Sequence, residues 1–451
     1  MIVRRLLVSV SVLTLAGCAS FGPSTDAREG AGITFPDGYD YRSEIASLTA
    51  PEIAWWNGFS SGPLNDLVAE ALSANQSLAQ GLANVDASRA ALKVTNAAFL
   101  PQASGSLSAS SETQSGLDDV SSSGRLSASY QLDLFGANAA SRAASLASLD
   151  AAIFSQRALE LTVQSDVATT YFSLLGSREQ LDVARENLEI AERIFQIVEV
   201  RYREGVISGF DVSSQSAQLA NARARIPQLE SQITSFETAL AILLGQVPQG
   251  YAAPQEDILA IALPQADPGL PSDLLLRRPD LMHSEASLRG ADANIDAARA
   301  AFFPNIDLGA GVSSLLTGGA DLTGSLSASI AATIFSGGRL EGQLEGAEAR
   351  RAGQLAAYRQ SILSALRDVD VSLKAIEASA AREEQLLIAR DAAFEALEAA
   401  ELRYRSGAGD LTSLLTSQQT FSDASNSYVQ GRLDRLTSAI NLYVALGGGY
   451  G

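Results

Sequence analysis

Cysteine and histidine are almost missing. The 451 residues contain one of each, Cys18 and His283, alongside two methionines. A Cys/His metal cluster and an intrachain disulfide are therefore excluded. A Ser-His-Asp site could draw only on His283, which has no second histidine beside it and reads as structural. Proline is scarce at 13 residues and aromatics make up 6 %. Basic residues are also outnumbered, 32 against 51 acidic, for a net charge of −19. Such a surface repels phosphate, so nucleic acid is excluded as a partner. Apolar content is an ordinary 46 %, which excludes a disordered chain. After the first few residues no run of 18 uninterrupted apolar residues occurs, so no transmembrane helix is expected. What is abundant is Ala, Ser, Leu and Gly, suited to close helix–helix contact and thin strands.

The N-terminus carries an address. Arg4 and Arg5 precede an apolar run from Leu6 to Ala16, too short to span a bilayer and consistent with a signal peptide over 1–17. Leu15-Ala16-Gly17-Cys18 resembles the bacterial lipobox, in which the cysteine becomes the lipidated N-terminus. The alternative is a chance cysteine after an ordinary signal. Acyl chains on Cys18 contribute about 0.8 kcal/mol per buried CH₂. Ala19 and Ser20 lack the Asp that would favour inner-membrane retention in that sorting pattern, which points to the outer membrane. Loss of Arg4 and Arg5 with the signal takes the charge from −19 to −21.

The chain repeats itself. Arg201-Tyr202-Arg203-Glu204-Gly205 recurs as Arg403-Tyr404-Arg405-Ser406-Gly407, and Leu243-Leu244-Gly245 as Ala445-Leu446-Gly447, both at an offset of 202. Phe99-Leu100-Pro101 and Leu134-Phe135-Gly136 recur near the same offset as Phe303-Pro304 and Ile334-Phe335-Ser336. This is a duplication, since a solenoid repeats every 20–50 residues or so. The expected units are 62–248 and 272–447, with a lipidated extended segment at 18–61, a Pro-rich linker at 249–271 and a tail at 448–451.

Each unit shows the same succession of periods. A helix is expected over 64–99, followed by two alternating segments. In 124–135, Leu126, Ala128, Tyr130, Leu132 and Leu134 share a face opposite Arg125, Ser127, Ser129, Gln131 and Asp133. In 321–335, Leu322, Leu326, Ala328, Ile330, Ala332 and Ile334 oppose Ser325, Ser327, Ser329 and Thr333. Period 2 over such a length makes strands with a different solvent on each face; their partners are 102–113 and 305–316. Proline-free helices of about 138–204 and 338–406 follow, each able to reach about 100 Å. Leu181, Ala184, Leu188, Ala191, Phe195, Val198 and Tyr202 form a heptad seam, as do Leu219, Ala222, Ile226, Leu229, Ile233, Phe236, Leu240 and Leu243. Leu386, Ala393, Leu397, Ala400 and Tyr404 repeat it, interrupted by Arg390. Helices over 209–245, kinked at Pro227, and 410–446 complete the units. Trp55 and Trp56 read as core anchors.

Four strands of about ten residues suit a membrane barrel, whose strands need about 9–11 residues. Four cannot close one, and open edges are not tolerated in lipid. Two chains give eight strands and almost no lumen; three give twelve and a water-filled pore. These patterns read as an α+β membrane protein in which three chains close a twelve-stranded β-barrel and the long helices continue that cylinder.

Several segments carry a family resemblance. Leu274-Leu275-Leu276-Arg277-Arg278-Pro279-Asp280-Leu281, Ala297-Ala298-Arg299-Ala300-Ala301-Phe302-Phe303-Pro304 and the end from Arg432 to Gly449 resemble signatures of the TolC superfamily, and of its OprM/NodT lipoprotein branch. The resemblance covers about 52–450. It implies a homotrimeric channel-tunnel in the outer membrane and periplasm, with an α-helical coiled-coil barrel, that passively conducts drugs and other solutes. Energy would come from an inner-membrane RND pump joined through a periplasmic adaptor protein. No enzyme activity is expected, since no catalytic constellation appears, and no cofactor beyond the covalent lipid on Cys18.

The resemblance also implies where the tunnel closes. Gly205 and Gly407 suit sharp turns between helices, and the tips carrying Arg203, Gly205, Arg405 and Gly407 would meet the adaptor. The matching Asp and Tyr of TolC-like members hydrogen-bond to lock the helices shut, which transfers to Asp211 and Tyr404; the alternative makes Asp211 a helix cap. Acidic residues often line the narrowest ring, but here those positions are Ser413 and Thr416, and a basic neighbour is Gln419. Asp410 is an alternative source of negative charge, and Leu414 with Leu415 an alternative hydrophobic constriction. Arg277, Arg278 and Asp280 read as structural. Competing functions are a duct for type I protein secretion or metal-ion efflux, and a pore-free lipoprotein scaffold. The two-faced strands argue against the scaffold.

Overall fold

The computed structural model describes residues 31–36, 38, 39, 54–111, 120–264, 269, 271–316 and 321–449. The expected signal peptide, Cys18 and most of the 18–61 segment lie outside the described residues. No helix among the described residues is long and apolar enough to cross a membrane.

The expected 64–99 helix is two helices, α1 (Gly62–Ala74) and α2 (Gln76–Ala97). Asn75 separates them in an extended conformation. Its side-chain oxygen accepts from Ser77 and Leu78 N–H at 2.9 and 3.1 Å, capping α2. Its Nδ2 donates to the Leu243 carbonyl at 2.8 Å. A short polar side chain that satisfies the backbone this way ends one helix and starts another.

Four strands follow in two pairs: β1 (Gln102–Ser111), β2 (Val120–Leu132), β3 (Asn305–Leu315) and β4 (Leu322–Ala331). They form one antiparallel sheet in the order β1-β2-β3-β4. The register sorts the faces. Gly105, Leu126, Val312 and Gly324 share a row, as do Ala103, Ala128, Ala310 and Leu326. The row between them, on the other face, is Ser104, Ser127, Gly311 and Ser325. On that polar face hydroxyls pair across strands, Ser104 with Ser127 and Ser108 with Ser123 at 2.9 Å. Gly309 makes room there, because a Cβ would lie 2.6 Å from Ser327 Oγ. The strands carry two charged residues, Arg125 and Asp307, both on the polar face.

The strands end sooner than their alternation suggests. Leu134, Ala332 and Ile334 lie beyond them. The Asp133 carboxylate accepts from the N–H groups of Asn138 and Ala139 at 3.1 and 2.8 Å, so the chain must already be turning into the next helix.

The long helices are α3 (Ala137–Arg203), α4 (Gly209–Leu243), α5 (Pro279–Ala300), α6 (Arg339–Arg405) and α7 (Leu411–Ala445). α3 and α6 each have 67 residues, α4 and α7 each 35, and each pair is displaced by 202. α4 continues through Pro227.

The chain divides into two compact units: the sheet belongs to one, within Val85–Ala152 and His283–Gln360, and the α3/α4 and α6/α7 turns to the other, within Ile153–Met282 and Ser361–Gly451. In the second unit Leu181 and Ala184 of α3 pack on Leu229, Ile226 and Ile233 of α4. Further along, Ile190, Ile194 and Val198 pack on Ala393, Leu397 and Tyr404 of α6 and Leu411, Leu414 and Phe421 of α7. The seam therefore departs from the expected heptad. Leu188 and Phe195 are half-buried and Tyr202 is exposed, because α3 is covered on two sides and its buried arc turns from α4 toward α6 and α7.

The 249–264 stretch is irregular and held by two arginines. Arg432 donates to the carbonyls of Ile258, Leu259 and Ile261, and Arg178 to those of Ala253 and Pro254. Trp55 is a core anchor, stacked on Tyr443 at 5.5 Å with its indole N–H donating to Gln164 at 3.0 Å. His283 Nδ1 sits 2.9 Å from the Ala151 carbonyl. Arg278 forks onto Asp280 at 3.0 and 2.8 Å and reaches the Ala445 carbonyl, joining the start of α5 to the end of α7.

Candidate aperture at the helix tips

α3 and α6 end in the same way. Gly205 adopts φ +74° and Gly407 φ +78°, a region where a side chain is strained. Gly205 N–H donates to Tyr202 O and Val206 N–H to Arg201 O, both at 2.9 Å. Gly407 N–H donates to Tyr404 O at 3.1 Å and Ala408 N–H to Arg403 O at 2.9 Å. This pair of bonds is the Schellman motif, which satisfies the last helical carbonyls. It explains why the glycine stands two residues past each Arg203 or Arg405. Both arginines are exposed at the tips.

The returning helices begin with one contact used in two polarities. At α4 the Asp211 carboxylate accepts from the N–H and the hydroxyl of Ser208, both at 2.9 Å. At α7 the Asp410 carboxylate accepts from the N–H and the hydroxyl of Ser413, at 2.9 and 2.7 Å. Ser and Asp have exchanged places between positions 202 apart. Asp410 is fully exposed, and those two Ser413 bonds, backbone first, hold its carboxyl below the usual carboxylate range.

Asp211 and Tyr404 are not hydrogen-bonded to each other. Asp211 is engaged by Ser208. Tyr404 is 2 % exposed and its hydroxyl meets no hydrogen-bond partner among the described residues. Burial pushes that phenol above its ordinary range, against the opposing effect of Arg201, and the Asp211 charge adds to the rise. The Tyr404 ring and carbonyl are engaged by Arg201. Its guanidinium lies 4.5 Å from the Tyr404 ring centroid and donates to the Tyr404 carbonyl at 2.8 Å. The sequence marks Arg201 only as a member of the duplicated motif, recurring as Arg403, and does not show this contact.

On α7, Thr412, Ser413, Thr416, Gln419, Thr420 and Asp423 form one exposed stripe. Thr416 donates back to Thr412 O at 2.9 Å, and Gln419 donates to Asp423 at 2.9 Å. Ser413, Thr416 and Gln419 thus share a polar face with Asp410 at its head. Leu414 does not. It is 0 % exposed within the chain, packed among Ile190, Ile194 and Tyr404, and Leu415 is half-buried against the same cluster. Leu414 cannot form a hydrophobic constriction, because it points about 100° away from Ser413 around the helix.

The profile of the family described as outer membrane efflux protein matches residues 67–246 and 270–448. The chain belongs to that family. It is 33 % identical over 467 residues to the pyoverdine export outer membrane protein OpmQ of Pseudomonas aeruginosa, covering 100 % of this chain and 98 % of that protein. It is 30 % identical over 465 residues to the probable outer membrane lipoprotein SilC of Salmonella typhimurium, covering 99 % of each. The open state of the MtrE outer membrane channel of Neisseria gonorrhoeae matches with a TM-score of 0.82 at 28 % identity, over 93 % of this chain and 96 % of that one. This outer membrane efflux protein is accordingly a channel component, located in the outer membrane. The helical architecture with a four-stranded antiparallel sheet is that of the channel-tunnels.

Proposed function

We propose that three copies of this efflux protein close a twelve-stranded barrel and form the passive outer membrane duct of a tripartite, RND-type multidrug efflux system. The observation that carries the trimer is the sheet: four strands with one apolar and one hydroxyl-rich face, and two edges, β1 and β4, unpaired among the described residues. Lipid does not tolerate those edges, and twelve strands enclose water. The Arg203/Gly205 and Arg405/Gly407 tips meet a periplasmic adaptor, which links the duct to an inner-membrane pump. Cys18 carries the lipid anchor, a reading supported by SilC being named a lipoprotein. The α7 stripe of Asp410, Ser413, Thr416 and Gln419 lines the aperture, and Asp211 and Tyr404 stand at its closing point. The name of OpmQ favours a second solute class on the same path, a secreted natural product rather than a drug.

Single-channel recording on the purified full-length protein in planar bilayers tests the duct. Discrete conductance from a species of three times the chain mass is expected; absence of conductance from a folded trimer overturns the reading. Susceptibility of a deletion strain, with and without each candidate pump, separates drug export from export of a natural product, secreted protein or metal ions.

A further inference from the structure

The hydroxyl-rich face of the sheet carries a single cation, and it stands half-way along the strands. Arg125 lies five residues after the start of β2 and seven before its end. Its register partners are Ser106 of β1 and Ser313 of β3, and Thr323 of β4 continues the row. The flanking rows on that face are Ser104, Ser127, Gly311 and Ser325 on one side and Ser108, Ser123 and Leu315 on the other. None of these can neutralise a guanidinium. Arg125 is exposed and, among the described residues, has no ion-pair or hydrogen-bond partner. The one carboxylate on the strands, Asp307, pairs in register with Gln131, six residues along β2 or about 20 Å from Arg125. That is more than twice the Debye length of about 8 Å at physiological ionic strength. The two charges therefore cancel in sum but not in place.

An arginine half-way along a barrel strand is excluded from lipid, so its face looks onto water. In the proposed trimer, three-fold symmetry sets the three Arg125 side chains at one level. Twelve strands about 4.8 Å apart and tilted about 40° enclose a circle about 24 Å across between backbones. The guanidiniums reach inward from that wall, and none of the four strands puts a carboxylate at their level. A guanidinium is a planar fork that takes a phosphate or a carboxylate through two hydrogen bonds. A neutral or cationic solute meets only hydroxyls in this row. A compact anion with several phosphates or carboxylates can engage more than one arginine at once.

We infer that the Arg125 side chains of three chains form a ring that binds small polyanionic solutes half-way through the barrel. The ring makes Arg125 a specificity-determining residue of the duct: it concentrates multivalent anions inside a lumen otherwise lined by serine. The inference rests on the trimeric duct reading, which supplies the ring.

The test is calorimetric titration of inositol hexakisphosphate into the detergent-solubilised full-length protein. Wild type is expected to show one tight site per three chains, a stoichiometry that needs no variant to fold. Arg125→Gln is expected to bind at least about tenfold more weakly, the loss of charge-assisted hydrogen bonds. The exposed Arg203 and Arg405 are unchanged in that variant, so the comparison isolates the barrel ring. Inositol, the same ring without phosphates, is expected to give no binding to wild type. One site per chain, no binding by wild type, or equal affinity in wild type and Arg125→Gln overturns the inference. Bilayer recording of the same preparations keeps the two proposals apart. Binding that depends on Arg125, without conductance, refutes the duct and leaves the ring; conductance with binding indifferent to Arg125 does the reverse.

Discussion

Replacing Arg432 by methionine should release the 249–264 stretch without unfolding the helices. The Arg432 side chain is 9 % exposed and reaches four acceptors: Ile258 O and Leu259 O at 3.2 Å, Ile261 O, and Glu383 at 3.3 Å. Methionine keeps the apolar stem and removes every donor. Glu383 is not orphaned, because Arg435 still holds it at 2.7 Å. The loss therefore falls on the three carbonyls. Each unsatisfied buried acceptor costs about 1–3 kcal/mol, and half-buried Leu259 can recover water, so a net loss of about 3 kcal/mol is expected. At about 1.4 kcal/mol per factor of ten, local opening should become about 10²-fold more frequent. Hydrogen exchange followed by mass spectrometry reads this directly. Peptides covering 254–262 should exchange about 10²-fold faster in Arg432→Met, while peptides covering 190–198 keep the wild-type rate. Unchanged exchange in 254–262 would refute the claim that Arg432 holds this segment.

Three further outcomes follow from the geometry. Tyr404→Phe removes a hydroxyl with no partner among the described residues, so stability and bilayer conductance should stay at wild-type values, whereas Asp211→Ala breaks the contact with Ser208 and should lower the melting temperature. A conductance rise in Tyr404→Phe would reinstate a hydroxyl lock. Leu126→Arg puts a charge on the apolar face and Ser127→Arg on the polar face; the first should cost about 2–4 kcal/mol at mid-bilayer and deplete protein from outer membranes, while the second assembles and shifts ion selectivity toward anions. Burial, reinforced by Glu70 and Glu237, pushes the Tyr251 phenol up to about 12. A raised phenol contributes stability that is complete below its ordinary pKa of about 10 and is lost as pH rises toward 12. Melting temperature should therefore fall between these values, and fall less in Tyr251→Phe.

The helices were legible because proline is missing and apolar residues recur every three or four positions over long stretches. The break at Asn75 was not, since neither Gly nor Pro marks it and the deciding bond comes from its own side chain. Strand ends were overrun because Leu134 and Ile334 keep the alternation, while Asp133 caps the helix that follows. At the tips, Gly205 and Gly407 were readable from local sequence, as Schellman turns are made by neighbours in the chain. Leu414 was misplaced for a geometric reason. A position counted along a motif names a turn of the helix, whereas burial depends on the angle around it. Arg201 and Arg432 stood in recognisable motifs, but what they do was not legible, because each takes its meaning from partners far away in the chain.

The duplication and the charge bear on one another. Both copies close their tips with the same Ser–Asp contact, but the exchange of Ser208 and Asp211 for Asp410 and Ser413 moves the carboxylate by one helical turn. In the first copy it lies where its charge is felt by buried Tyr404. In the second it stands fully exposed at the head of a stripe of hydroxyls and carboxamides, ionised below the ordinary carboxylate range. The strands contribute Arg125 and Asp307, which cancel, so the net −19 belongs to the rest of the chain. In the proposed trimer the barrel face is then close to neutral and lined by serine, and the α7 stripe proposed to line the aperture is headed by Asp410, three carboxylates in all. A duct that does no work on its cargo must attract it without retaining it. Hydroxyl surfaces with one exposed acidic ring meet that condition better than a ring of buried acids, whose desolvated charge would hold cations strongly. If the proposed stripe lines the aperture, the swap of a serine for an aspartate, repeated three times, sets the sign of the ions that pass. Asp410→Asn should then remove most of the cation preference, while Asp211→Asn should leave it in place.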